Sequence, residues 1–234
     1  MPLITDIRPP GASRGQTGPG PLKAGGEWRL VVLDDGRRLR VDLEQVARHG
    51  LEPGEAVGTR LIAGLEARDA YLRARERALR LLAIRPRSAE ELRQRLLQER
   101  APRGAIRAVI ATLAGQGYLD DLAFARSWIA HRIAAGACAA ARLRWELRQK
   151  GVSTIVIDRA LQERFGAGAD RARVEEQSAI ALVSRRLPAY RHLTRERQVR
   201  RLAGLLERRG FAPATIARAL RVIGRADVPE ASDG

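Results

Sequence analysis

Residues 143–161 read LRWELRQKGVSTIVIDRAL. Leu143 and Leu147 are four residues apart and lie on one face of a helix, as do Ile157 and Leu161 further on. Lys150-Gly151-Val152 falls between the two pairs, where a glycine just past a helix end supplies the left-handed residue that closes it. The same apolar spacing of 4, 10 and 4 recurs at Leu92, Leu96, Ile106 and Ile110, and again at Leu202, Leu206, Ile216 and Leu220. Gly210 stands where Gly151 does, whereas the first copy has Ala101-Pro102 in the gap and is expected to turn differently. The copies are 51 and 59 residues apart, and the extra eight residues are assigned to insertions around Gly166–Asp170 and Pro188–Thr194. Any leucine-rich helical chain shows some four-residue spacings. Three copies of one pattern with a shared turn are a repeat, and each copy reads as three helices.

The expected fold is therefore all-α: tandem three-helix repeats in an elongated, curved array whose long side surface is suited to binding. Repeat 1 is assigned to residues 59–118, repeat 2 to 119–168 and repeat 3 to 169–225. The long first helix carries Leu72, Leu79, Leu82 and Ala83 on one face and stops before Pro86. Ser88-Ala89-Glu90-Glu91 is a capping box, in which the serine accepts from the amide three residues on and Glu91 reaches back. Asp120 or Asp121 caps the helix with Phe124, Trp128 and Ile129, and Asp170 precedes the next. Upstream, Trp28 to Leu33 and Leu39 to Leu43 alternate around Asp35-Gly36, the pattern of a β-hairpin; with a short helix near Leu43 to Arg48 it makes a segment at 26–58. Residues 1–25, rich in Gly and Pro, and residues 226–234 read as disordered tails.

Lysine plus arginine number 43 against 27 acidic residues, a net charge of +16. All but two of these cations, Lys23 and Lys150, are arginine. Codon bias explains arginine over lysine but not a surplus of positive charge, which favours a polyanionic partner, nucleic acid or an acidic protein surface. The cations are spread over many helices rather than gathered in one amphipathic segment, which argues against a membrane surface. Cys138 is the only cysteine, so neither an intrachain disulfide nor a cysteine metal cluster can form. With no signal-like or membrane-length apolar run, the expected location is cytoplasmic.

No catalytic constellation is present. His49, His131 and His192 sit in unlike contexts, no phosphate-binding glycine loop or HExxH occurs, and Asp120-Asp121 reads as a helix cap rather than a metal site. No catalytic residue, metal or cofactor is expected, and the chain is not expected to be an enzyme. The candidate contact surface is the second helix of repeat 2. Its Leu143 and Leu147 face inward, so Arg142, Trp145 and Arg148 form an outward stripe, with Arg144 and Lys150 nearby. An aromatic flanked by arginines suits a protein hot spot or stacking on a base, and equally a groove filled against a neighbouring repeat. Arg93 and Arg95 in repeat 1, and Arg200, Arg201, Arg208 and Arg209 in repeat 3, complete the candidates for contact with a filament or DNA.

Tyr118-Leu119-Asp120-Asp121, then Phe124-Ala125, then Leu143-x-x-Glu146-Leu147-x-x-Lys150-Gly151-Val152 resembles the core of the RecX family. Ser88–Leu92 and the N-terminal hairpin fit as well, and the resemblance covers roughly Glu27 to Gly224. It implies a regulator that binds the groove of the RecA–DNA filament, and the chain is expected to act as a monomer. Its expected effect is to inhibit strand exchange, ATP hydrolysis and repressor co-cleavage in DNA repair and the SOS response, with weaker electrostatic contact to single- and double-stranded DNA. The other reading is a helical DNA-binding protein or transcription regulator acting without RecA, which would need one base-reading helix rich in Asn, Gln and Arg. No helix stands out in that way.

Overall fold

The computed structural model describes residues 1–9 and 28–225, with side chains through Arg221. The expected tails at 10–25 and 226–234 lie outside the described residues. The chain forms two compact units, Met1–Arg85 with Leu92–Tyr118, and Pro86–Glu91 with Leu119 onward.

The first unit opens with a three-stranded antiparallel sheet in the order β1-β2-β3, from Ile4–Arg8, Trp28–Leu33 and Arg38–Asp42. The hairpin is present, with Gly36 at φ 84° in its turn. The tail expectation is corrected for its first residues: Ile4–Arg8 pairs along β2, Ile4 opposite Leu33 and Arg8 opposite Leu30. Ile4, Thr5 and Ile7 are good strand formers, and the glycines and prolines that suggested a tail begin only at Pro9. A hairpin alone is marginal in water, and the third strand supplies the missing support. Ile4, Val31, Leu33, Leu39 and Val41 bury one face of the sheet with Leu51, Val57, Ile62 and Leu65.

Helix α1 (Leu43–Arg48) follows the sheet, and α2 (Thr59–Ile84) packs on β3 and on α4 (Arg103–Gly115). The buried residues of α2 are Ile62, Leu65, Asp69, Ala74, Ala78 and Leu81. This corrects the expected face: Leu72, Leu79 and Leu82 are half-buried and Ala83 is exposed. A 26-residue helix that meets a sheet along one part and a helix along another cannot bury one stripe throughout, and its alanines admit close approach. Asp69 is buried because its carboxylate accepts from the Arg40 backbone N–H at 2.9 Å and pairs with Arg73 at 2.8 Å.

Helix α3 (Ala89–Gln98) spans the division between the units, its first turn belonging to the second. There, α5 (Asp121–Ala134), α6 (Ala140–Gln149) and α7 (Thr154–Phe165) enclose Phe124, Ile129, Leu143, Leu147, Ile157 and Leu161. A second cluster joins α8 (Gly168–Arg186), α9 (Arg195–Arg208) and α10 (Pro213–Arg225) around Ala179, Val183, Leu202, Leu206, Phe211 and Ile216. Ten of the twelve positions that defined the spacing pattern are buried, and Ile110 and Leu220 are half-buried. The expected insertion at Gly166–Asp170 is not one. Only Gly166 and Ala167 separate α7 from α8, and Asp170 lies inside the first turn of α8 rather than before it. The additional residues lengthen α8 to 19 residues against 14 in α5, form a short 3-10 helix at Leu187–Tyr190, and extend the start of α9.

The first copy also does not turn differently, contrary to expectation. Arg100 adopts φ 61°, matching Gly151 at 74° and Gly210 at 81°. The closing bonds match too: Ala101 N–H to Leu96 O at 3.1 Å, Val152 N–H to Leu147 O at 3.1 Å and Phe211 N–H to Leu206 O at 3.2 Å. The closing bonds of the cap, with Ala101 seated behind it, outweigh the cost of roughly 1–2 kcal/mol for a side chain in this conformation.

Candidate interaction surface

The surface begins with how the second unit holds its helices. Ser88 Oγ accepts from the Glu91 N–H at 3.0 Å and donates to Lys150 O, while the Ala89 N–H donates to Asp121 Oδ1 at 2.9 Å. Asp120 caps α5 itself, accepting from the Leu122 and Ala123 amides at 2.8 and 2.9 Å. The equivalent start of α6 is built the same way, with Ala139 N–H donating to Arg209 O at 3.0 Å and Ala140 N–H to Glu175 Oε1 at 2.8 Å. In both places a carboxylate from the following repeat satisfies an orphan amide of a leucine-rich helix, and a turn carbonyl of that repeat accepts from the residue before the helix, its hydroxyl at Ser88 and its amide at Ala139. The glycine of that turn must lie close: a Cβ on Gly151 would stand 2.3 Å from Glu90 Cβ, and one on Gly210 2.7 Å from Arg142 Cβ.

This construction takes two candidate cations inward. Lys150 Nζ bonds Glu91 at 3.1 Å and lies 4.0 Å from the centroid of the Trp128 ring, its side chain only 18% exposed. Arg209 donates to Ala137 O at 3.3 Å and lies against Gly136. Both fasten turns of the fold.

On α6, Glu146 is buried and collects three donors: Trp128 Nε1 at 3.0 Å, Arg132 through Nε at 2.8 Å and Nη2 at 2.9 Å, and Arg142 Nε at 3.0 Å. Burial alone would raise the carboxyl pKa, but these hydrogen bonds outweigh it and hold it below its usual value. The Arg142 guanidinium is thereby fixed over the Trp145 ring, 4.6 Å from its centroid. Trp145 is 52% exposed, so its ring stands outward from the core of its own unit. Arg142 and Trp145 were legible in the sequence as surface candidates, but their support by Arg132, Trp128 and Glu146 was not. The readable signal was Arg142 and Glu146 at i and i+4.

Arg148 is exposed on the same helix with no carboxylate partner among the described residues, and Arg144 pairs with Asp158, Nε to Oδ1 at 3.2 Å. Arg93 is exposed on α3, where Arg95 pairs with Glu99 at 3.3 Å. On α9, Arg200 pairs with Glu196 at 2.6 Å, Arg201 lies 5.9 Å from the Tyr190 ring centroid and Arg208 is exposed. Arg142 and Trp145 are brought together on α6, which also carries Arg148, while Arg200, Arg201 and Arg208 are spread along α9. Among the described residues no cluster of His, Cys, Asp and Glu could hold a metal ion, and no helix is long and apolar enough to cross a membrane.

Fold and surface define a protein of consecutive three-helix sets, with a small N-terminal sheet and an exposed arginine–tryptophan stack. Residues 74–113 match the first three-helix domain of RecX and residues 120–161 the second. The chain is 34% identical over 180 residues to regulatory protein RecX of Streptomyces coelicolor, covering 77% of this chain and 91% of that one. It is 38% identical over 153 residues to regulatory protein RecX of Thermobifida fusca, covering 65% and 80%. The crystal structure of a regulatory protein RecX superposes with a TM-score of 0.65 at 22% identity, over 93% of this chain and 98% of that one. The RecX of Lactobacillus salivarius gives 0.57 at 16% identity, over 67% and 98%. The chain belongs to the RecX family of regulatory proteins.

Proposed function

We propose that this chain binds the RecA–DNA filament as a monomer in the cytoplasm and inhibits the recombinase, ATPase and co-protease activities of RecA in DNA repair and the SOS response. It acts by binding and not by catalysis, needs no cofactor, and contacts single- and double-stranded DNA more weakly through charge. Membership of a family of regulatory proteins supports this reading, and the observation that carries it is the Arg142–Trp145 stack. A large exposed aromatic held under a fixed guanidinium is preorganised for a partner surface, because little side-chain freedom remains to be lost on binding. The contact set is Arg142, Trp145 and Arg148, with Arg144 on the same helix; Arg93 and Arg95 on α3, and Arg200, Arg201 and Arg208 on α9, are further candidates.

The test is RecA-dependent ATP hydrolysis on single-stranded DNA with this protein added below stoichiometry. Hydrolysis is expected to fall. Unimpeded hydrolysis, with the protein still bound tightly to bare DNA, would favour the DNA-binding reading instead.

A further inference from the structure

Most arginines of this chain have a carboxylate partner or an intramolecular role. The segment that ends α8, passes through the 3-10 helix and opens α9 is different. Residues 185–201 hold seven arginines and one carboxylate, Glu196. All seven, Arg185, Arg186, Arg191, Arg195, Arg197, Arg200 and Arg201, are exposed, as is His192. Glu196 pairs with Arg200, and Arg201 lies over Tyr190. The other five have no carboxylate partner among the described residues.

Folding does not account for this placement. Arg195 and Arg197 occupy the first turn of α9, where exposed amides carry partial positive charge and cations are unfavourable. The Thr194 side chain makes no capping bond there. The connection itself is ordered: Gln198 Nε2 donates to Tyr190 O at 3.1 Å and to Leu193 O at 3.0 Å, and Leu193 N–H to Tyr190 O at 2.9 Å. A held loop therefore presents concentrated positive charge that the fold does not neutralise.

The chemistry of the patch selects its ligand. None of the large exposed apolar residues, such as Ile84, Tyr118, Trp145 and Ile155, falls within 185–201. Protein interfaces are centred on desolvated aromatic or apolar anchors and are depleted of charge at their core. A patch of arginines without such an anchor matches a phosphate backbone, where each cation displaces condensed counterions. We propose that residues 185–201 form a binding surface for the phosphate backbone of nucleic acid, separate from the Trp145 surface on α6. This rests on the DNA contact in the proposed function and deepens it by giving that contact a surface of its own.

The experiment contains no recombinase, so its failure is distinguishable from failure of that reading. Binding of the full chain to a fluorescein-labelled oligothymidylate is followed by anisotropy over a range of salt concentrations. Replacing Arg186, Arg191, Arg195 and Arg197 together by Gln is expected to reduce the slope of log affinity against log salt by about 3, at roughly 0.7 per phosphate contact. Arg191→Gln or Arg197→Gln alone is expected to reduce it by about 0.7, which keeps the test available if the fourfold variant folds poorly. The fourfold lysine variant is expected to retain the slope. An unaltered slope in the glutamine variants overturns the proposal. So does loss of binding to polyglutamate with binding to the oligonucleotide intact, which would identify an acidic protein as the ligand.

Discussion

The Arg142 guanidinium lies 4.6 Å from the centre of the Trp145 ring because Glu146, one turn on, holds its Nε at 3.0 Å. A buried carboxylate thus aims a surface cation. Glu146→Gln keeps the shape but removes the charge on which Arg132, Arg142 and Trp128 converge. It is expected to cost about 2–3 kcal/mol, measured by urea denaturation at neutral pH.

The same carboxylate makes a signed pH prediction. Its pKa in the folded chain is below the ordinary value, so its contribution is fully present above the unfolded pKa and is lost as pH falls through the folded one. Melting temperatures on the acidic side of pH 5 are expected to fall more steeply for the parent chain than for Glu146→Gln. Parallel acid limbs would show that the three donors do not stabilise the ionised form.

Trp145→Ala removes a ring that is half exposed and lies outside the core clusters described for its unit. Stability is expected to change by about 0.5 kcal/mol or less. Inhibition of RecA-dependent ATP hydrolysis is expected to weaken by about 30-fold or more in half-inhibitory concentration, the scale of a hot spot of about 2 kcal/mol. Arg148→Ala is expected to add a smaller loss. Unchanged inhibition in the double variant would move the contact surface away from α6.

Arg100 and Gly151 make a paired test of the turn. Arg100→Gly relieves the left-handed strain at 61° but loosens the unfolded chain, with an expected net gain of about 0.5–1 kcal/mol. Gly151→Ala adds the strain and drives a Cβ against Glu90, with an expected loss of about 2–4 kcal/mol. Chemical denaturation midpoints of the two variants should shift in opposite directions.

Lys150→Ala distinguishes a structural cation from a contact. It removes the Glu91 bond and the stacking on Trp128, with an expected cost of about 1–2 kcal/mol in stability. The salt dependence of DNA binding is expected to stay at the parent slope.

Local rules made much of the fold legible. Leucines and isoleucines spaced 4, 10 and 4 apart mark the buried face of a helix pair whatever lies opposite, and a glycine past a helix end marks the cap. Ser88 and Asp120 were readable as caps because their bonding partners lie two or three residues away. The strand at Ile4–Arg8 was not, since its partner is more than twenty residues off and Gly/Pro-rich sequence lies between.

The sequence by itself determined the succession of three-helix sets, the excess of arginine and the face of α6 on which Trp145 stands, all consequences of helical period and composition. Only the tertiary structure decided what each cation does. Lys150 and Arg209 occupy equivalent places in their repeats and are drawn inward by a ring, a carboxylate or a carbonyl from elsewhere in the chain. Arg185, Arg186, Arg191, Arg195 and Arg197 meet no carboxylate among the described residues and stay in solvent. A charge is neutralised by what lies next to it in space, and sequence spacing does not specify that neighbour.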